Sequence, residues 1–273
     1  MRILNSLLGG FVEIVLYPFR SLPPIVGLVV VSVITASGML LVFKVTSNQE
    51  GVQKVKRQIS AGVFEIRLFN DDPRSVLRAQ WDILRHTVRY LRLNLVPLAW
   101  MIVPLVLVII HLQFHYGYEG LEVDRATIVK VKLTDSFAQP EPDLSLEHSP
   151  GIRVESPMLW IPTEREADWR VSATEPGKHE LHVRVGDTVL EKSLRVSESI
   201  VRRSPIRPSG FWGQVVYPVE APLRSDGPVE SIAIAYPERR IDVLGLGVHW
   251  IVVFFILAMV LAFALQRPFK VSI

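Results

Sequence analysis

The chain contains no cysteine. A domain on an oxidising side of a membrane therefore has no disulfide support and must hold by its own core. The same absence excludes a cysteine nucleophile, cysteine-ligated zinc and iron–sulfur clusters. Catalytic motifs are missing as well. No HExxH, GxSxG, phosphate loop or dinucleotide fingerprint occurs, so the expected protein is not an enzyme and takes no cofactor or metal. His111 and His115 have the i,i+4 spacing of a metal pair on one helix face, but no third histidine lies near them. A pair of interfacial histidines is the other reading. His179 and His182, three apart in a strand pattern, point to opposite faces.

Charge is scarce in three places. Residues 25–43 are nineteen consecutive uncharged residues, enough for a helix to cross about 30 Å of hydrocarbon. Residues 248–265 are eighteen, with His249 near their start. The stretch 95–110 is shorter and holds Pro97 and Pro104, which membrane helices tolerate where neighbours re-satisfy the freed carbonyls. The expectation is three transmembrane helices, at 25–43, 95–112 and 248–265. Membrane-embedded proteases need paired ionisable or Ser/His groups inside their spans, and these have only His249 at an edge.

Charge returns between the spans, with alternating sign. From Lys44 to Asn94 ten basic residues stand against five acidic ones, a net of +5, while residues 113–247 carry sixteen against twenty-one, a net of −5. Positive loops stay in the cytoplasm. The expected topology therefore puts the N-terminus and the acidic segment outside, and the basic segment 45–93 and the tail 266–273, with Arg267 and Lys270, inside. Trp100, Tyr116, Tyr118 and Trp250 fall near span ends, where aromatic rings favour the interface. The expected location is a membrane, with the lipid bilayer as first partner.

Residues 1–20 carry Arg2, Asn5, Gly9 and Glu13 at helical spacing with apolar residues around the rest, the pattern of an amphipathic helix in the outer interface. In the basic segment, Val52, Val55, Ile59, Val63 and Ile66 step by three or four. Leu77, Trp81, Leu84, Val88, Leu91 and Leu95 step four, three, four, three, four. Each stripe is a helical seam. Between them, Asn70-Asp71-Asp72-Pro73 forms the tip, with Asp72 as N-cap and Pro73 at N1. Two arms of similar length and a short turn predict an antiparallel helical hairpin whose seams close on each other. The second arm should run on into the second span without a break until Pro97.

The outer segment has strand periodicity. Residues 127–133, 151–156, 168–174, 179–185 and 188–196 read as strands, with Gly186-Asp187 as a hairpin turn. The expected unit is an all-β, immunoglobulin-like sandwich at 120–200, with a polar loop at 135–150. A juxtamembrane segment at 201–246 follows. It contains an echo, Val215-Val216-Tyr217-Pro218 and Ile234-Ala235-Tyr236-Pro237, read as two edge strands ending at proline.

The candidate contact residues are of two kinds. Arg74, Arg78, Arg85, Arg89 and Arg92 line one face beside the second seam. They suit anionic headgroups, a nascent chain or ribosomal RNA, or else form a solvated flank with Arg78–Asp82 as an i,i+4 pair. Ser32, Thr35, Ser37, Lys44 and Asn94 are polar groups inside or at the ends of the spans. They serve helix packing and snorkelling, or share a polar recess open to the cytoplasm that admits a polar segment at reduced cost.

This order of elements resembles the core of the YidC/Oxa-type insertase superfamily, in particular the three-span branch that includes the core subunit of the ER membrane complex. The residues that carry the resemblance are Lys44-Val45-Thr46-Ser47-Asn48-Gln49 leaving the first span, the tip at Asn70-Asp71-Asp72-Pro73, and Arg78-Ala79-Gln80 leading to the second. It covers 1–113 and 249–273. The chain departs from YidC-type proteins in having no arginine within the spans, and in placing a β domain where they have a membrane hairpin. The resemblance implies a bacterial inner-membrane protein, a non-enzymatic membrane-protein insertion or assembly factor that meets nascent membrane proteins or the ribosome and reads no specific nucleic acid. The alternative is a scaffold or accessory subunit of an envelope complex, binding other envelope proteins through the β domain and a cytoplasmic partner through the hairpin.

Overall fold

A computed structural model of the chain describes residues 2–69, 71–137, 142–148, 150–243 and 245–269. Asn70 of the expected tip, residues 270–273 of the expected tail and residues 138–141 and 149 of the expected polar loop lie outside this set. The fold mixes helices with antiparallel sheets and divides into two units. One comprises the residues up to Val31 with Val108–Phe254, the other Ser32–Leu107 with the residues from Phe255 on.

In the first unit, α1 (Arg2–Leu16) is packed through the face that carries its polar and small residues. Asn5, Gly9, Val12 and Leu16 are buried, while Leu7, Phe11 and Ile14 are exposed. Asn5 Nδ2 donates to the Gln214 carbonyl at 3.3 Å. A Cβ at Gly9 would lie 2.9 Å from the Arg202 guanidinium, so a side chain there would displace that guanidinium.

Helix α2 (Pro24–Thr46) follows, and α3 (Gln49–Leu68) and α4 (Pro73–Tyr116) form the hairpin. Helix α4 runs 44 residues through Pro97 and Pro104, where a break had been expected at the first proline. By length and composition α2 and α4 are apolar enough to cross a membrane, whereas α6 (Trp250–Leu265), at sixteen residues, is shorter.

The hairpin's termini follow their sequence signals. The Asp72 carboxylate accepts from Arg74 N at 3.1 Å and Ser75 Oγ at 2.5 Å, with Pro73 opening α4. These hydrogen bonds hold its carboxyl below the usual range. Asn48 caps α3 by accepting from Gly51 N at 2.9 Å.

The seam between the arms differs from the expected one. Val52 and Val55 are buried, Ile59 and Ile66 half-buried and Val63 exposed. On α4 the stripe from Leu77 to Leu95 is exposed, and the helix instead buries Ala79 and half-buries Ile83 and Tyr90. The cause is close approach. A Cβ added at Gly62 would meet Ile83 Cγ1 at 2.7 Å, and Lys56 Nζ sits 5.8 Å from the Tyr90 ring centroid. Small residues at 62 and 79 let this face pack, though its apolar content is lower.

The strands β1 (Ala126–Leu133), β2 (Leu144–His148), β3 (Ile152–Val154), β4 (Leu159–Ile161), β5 (Glu166–Ala173), β6 (Gly177–Val185), β7 (Thr188–Val196), β8 (Ile206–Pro208) and β9 (Val229–Ile234) build two sheets. One has the order β3-β5-β1-β9-β8 with β4 beside β5, the other β2-β6-β7. A single core draws on both, with Val129, Val131, Trp169 and Ile232 from the first and Leu181, Val183 and Leu194 from the second. β6 and β7 turn at Gly186-Asp187, where Gly186 has φ +53°, as the sequence predicts.

The sheet does not stop at residue 200. β9 pairs with β1 through Val129↔Ile234 and Val131↔Ile232, so the segment expected at the membrane supplies an interior strand. β2 lies within the expected polar loop, its Leu144 and Leu146 alternating against β6. Of the echoed pair, 215–218 ends α5 (Gly210–Val216), whereas 234–237 ends β9, so one is a helix end and the other a strand end. A further ribbon, β10 (Arg240–Val243) and β11 (Leu246–His249), leads into α6.

Candidate functional site

The ten candidate residues fall in different surroundings. Ser32 and Thr35 are buried, and Ser32 Oγ has no hydrogen-bond partner among the described residues. Ser37 and Asn94 are half-buried, and Lys44 is exposed in the last turn of α2. Asn94 Nδ2 donates back to the Tyr90 carbonyl at 2.8 Å, so its amide satisfies its own helix. Arg74, Arg78, Arg85, Arg89 and Arg92 are all exposed. Among the described residues none of the five makes an ion pair, and Arg78 and Asp82 do not pair.

Two of these arginines share a recess. Arg89, Arg92, Leu93 and Val96 occupy one face of α4 by their spacing, and with Thr46 and Asn48 they enclose about 350 Å³. Thr46 Oγ1 donates to the Val42 carbonyl at 2.7 Å and Asn48 Oδ1 is committed to its cap. The open donors in the recess are therefore the two guanidinium groups and the Asn48 amide nitrogen, beside the aliphatic Leu93 and Val96. A site of this chemistry can hold an anionic or carbonyl-rich group against the arginines and an aliphatic group beneath it. Thr46, Asn48, Leu93 and Val96 were not among the candidates. Their signal was present in the N-cap at Asn48 and in the 89-92-93-96 spacing.

The β domain holds a second cluster. Lys192 is fully buried, and its ammonium donates to Ser204 O at 2.6 Å, Ser204 Oγ at 2.9 Å and Glu220 Oε2 at 2.6 Å. Glu220 Oε1 accepts from Ser193 N at 2.8 Å and from Ser193 Oγ. Ser204 Oγ donates to Glu220 Oε2 at 2.7 Å. Burial pulls the lysine down to about 8, against the charge and hydrogen bond of Glu220. For Glu220 burial pushes upward, but Lys192, Ser193 and Ser204 together hold the carboxyl below its usual range. A lysine beside a serine suggests nucleophile activation. Here the lysine nitrogen donates to three oxygens at once and the serine proton points at Glu220, so the amine offers no free lone pair to take it. The cluster is a clasp that ties β7 to residues 204–220.

Near α4's end both histidines are buried. His111 Nε2 lies 3.3 Å from the Asn5 carbonyl, and His115 Nδ1 lies 3.1 Å from the His111 carbonyl. Burial lowers His115 to about 4. Among the described residues no group of three metal-ligating side chains forms. Arg203, also buried, gives its guanidinium to the carbonyls of Tyr118, Val201, Ser197 and Ser199 at 2.7–3.3 Å.

No protein-family model matches the chain, and no curated protein or solved structure does.

Proposed function

We propose that this protein is a non-enzymatic factor of YidC/Oxa type for the insertion or assembly of membrane proteins. In this reading α2, the apolar part of α4 and α6 cross a bacterial inner membrane, the hairpin is cytoplasmic and the β domain lies outside. The observation that carries it is the recess of Thr46, Asn48, Arg89, Arg92, Leu93 and Val96 at the end of an apolar helix. Two unpaired guanidiniums there attract the acidic or carbonyl-rich flank of an incoming segment, and Leu93 and Val96 receive its apolar part. The driving force is transfer of apolar residues into lipid. The exposed Leu7, Phe11 and Ile14 of α1 fit an interfacial helix facing acyl chains.

The test is a photoreactive residue at Val96 or Leu93 of the full chain in cells. Adducts with nascent membrane proteins or ribosomal proteins support the reading. A single stoichiometric envelope partner contradicts it and favours the scaffold alternative.

A further inference from the structure

The exposed stripe on α4 extends beyond the hairpin. Leu77, Trp81, Leu84, Val88, Leu91, Leu95, Leu98 and Ile102 alternate steps of four and three without a slip, and all eight are between 49% and 71% exposed. In heptad terms the d positions are Leu77, Leu84, Leu91 and Leu98, all leucine. The a positions are Trp81, Val88, Leu95 and Ile102. Leucine at every d, with the β-branched Val88 and Ile102 at two of the four a positions, favours two parallel strands. Position c of the same register holds Ile83, Tyr90, Pro97 and Pro104. Ile83 and Tyr90 are the residues that face Gly62 and Lys56 of α3. The hairpin thus uses one face of α4 internally, keeps both prolines off the seam and leaves the more apolar heptad face uncovered.

We infer that a second copy of this chain covers this face, as a parallel two-stranded coiled coil along α4 from Leu77 to Ile102. The flanks decide among occupants. Arg78, Arg85 and Arg92 take position e, and Gln80, Thr87 and Asn94 take position g. In a parallel pair e faces g of the other copy, so each guanidinium meets a neutral amide or hydroxyl. In an antiparallel pair arginine would face arginine. Two copies inserted with one topology are already parallel, a point that rests on the membrane reading above. The area also suffices. Eight side chains exposing roughly 100 Å² apiece offer about 800 Å² per copy, the size of a standard interface. Five of them, Leu77 to Leu91, precede the expected span and lie in water if left uncovered, a cost that pairing removes.

The cysteine-free chain makes the test direct, since a single introduced cysteine has no second thiol within its own chain and a disulfide between copies shows as a linked species of twice the monomer mass. Leu77→Cys, Leu84→Cys and Leu91→Cys (position d), and Asp82→Cys and Arg89→Cys (position b), are oxidised in native membranes. Disulfide-linked dimer is expected at all three d positions, at least tenfold above the b positions, because d residues of a parallel pair lie within disulfide reach. The wild-type chain should have twice the monomer mass by native mass spectrometry, and Leu84→Arg with Leu91→Arg should return it to one. Equal crosslinking at b and d, a monomeric wild type, or adducts with an acidic helix of another protein would each overturn the proposal. None of these readouts depends on insertion activity.

Discussion

The buried His115 and the half-buried Glu220 make the protein acid-sensitive, each in its own pH window. Burial lowers His115 from the ordinary 6.5 to about 4. The unfolded chain therefore takes up the proton first as pH falls, and stability is full above 6.5 and lost between 6.5 and 4. Glu220 lies below its ordinary 4.5, so its contribution is present above 4.5 and lost as pH falls through the folded value. Thermal unfolding of the full chain against pH should show both losses. His115→Asn should flatten the upper window alone, and Glu220→Gln the lower one alone. Glu220→Gln should also cost about 3–5 kcal/mol at neutral pH, because it leaves the fully buried Lys192 ammonium without its carboxylate. A variant that unfolds at the wild-type temperature would contradict the clasp. Little of this was legible in the sequence. Lys192 and Glu220 are 28 residues apart, and nothing in a strand pattern marks which lysine turns inward. The i,i+4 spacing of His111 and His115 was visible, but not the Asn5 carbonyl that meets it.

At the scale of elements, period was legible and the choice of face was not. The hairpin, its cap at Asp72 and the β6–β7 turn follow local signals of one to four residues. The packed face of α4 follows from how closely two backbones can approach, which Gly62 and Ala79 decide. Hydropathy favours the other face. Gly62→Leu should therefore push the arms apart at Ile83 and destabilise the hairpin by about 1–3 kcal/mol, measured as faster amide hydrogen exchange across residues 52–66 and 76–90. Unchanged exchange would show that the arms do not meet there. The end of the β domain was missed for a related reason. β9 is six residues and pairs with a strand almost a hundred residues earlier, a distance over which periodicity carries no information. β2, in the expected polar loop, has only Leu144 and Leu146 to mark its buried face.

For the whole molecule, alternating loop charge and the apolar stretches define the arrangement we propose. Glu175→Cys on the β domain should react with a membrane-impermeant maleimide in intact cells whose outer membrane has been opened, and Lys54→Cys on α3 only after lysis. Labelling of both before lysis would contradict the orientation. Of the candidate contact residues, Arg89 and Arg92 come together in the recess, Ser32 and Thr35 are buried on α2, and the remainder stand apart. The sequence placed basic residues on one helix face but could not show which of them close over Thr46 and Asn48. The most direct measurement is insertion into proteoliposomes. The purified full chain, reconstituted in vesicles of bacterial phospholipid, should raise protease-protected insertion of a small single-span protein several-fold over empty vesicles. Arg89→Glu with Arg92→Glu should return it to the empty-vesicle level. Equal insertion with and without the chain would contradict the account.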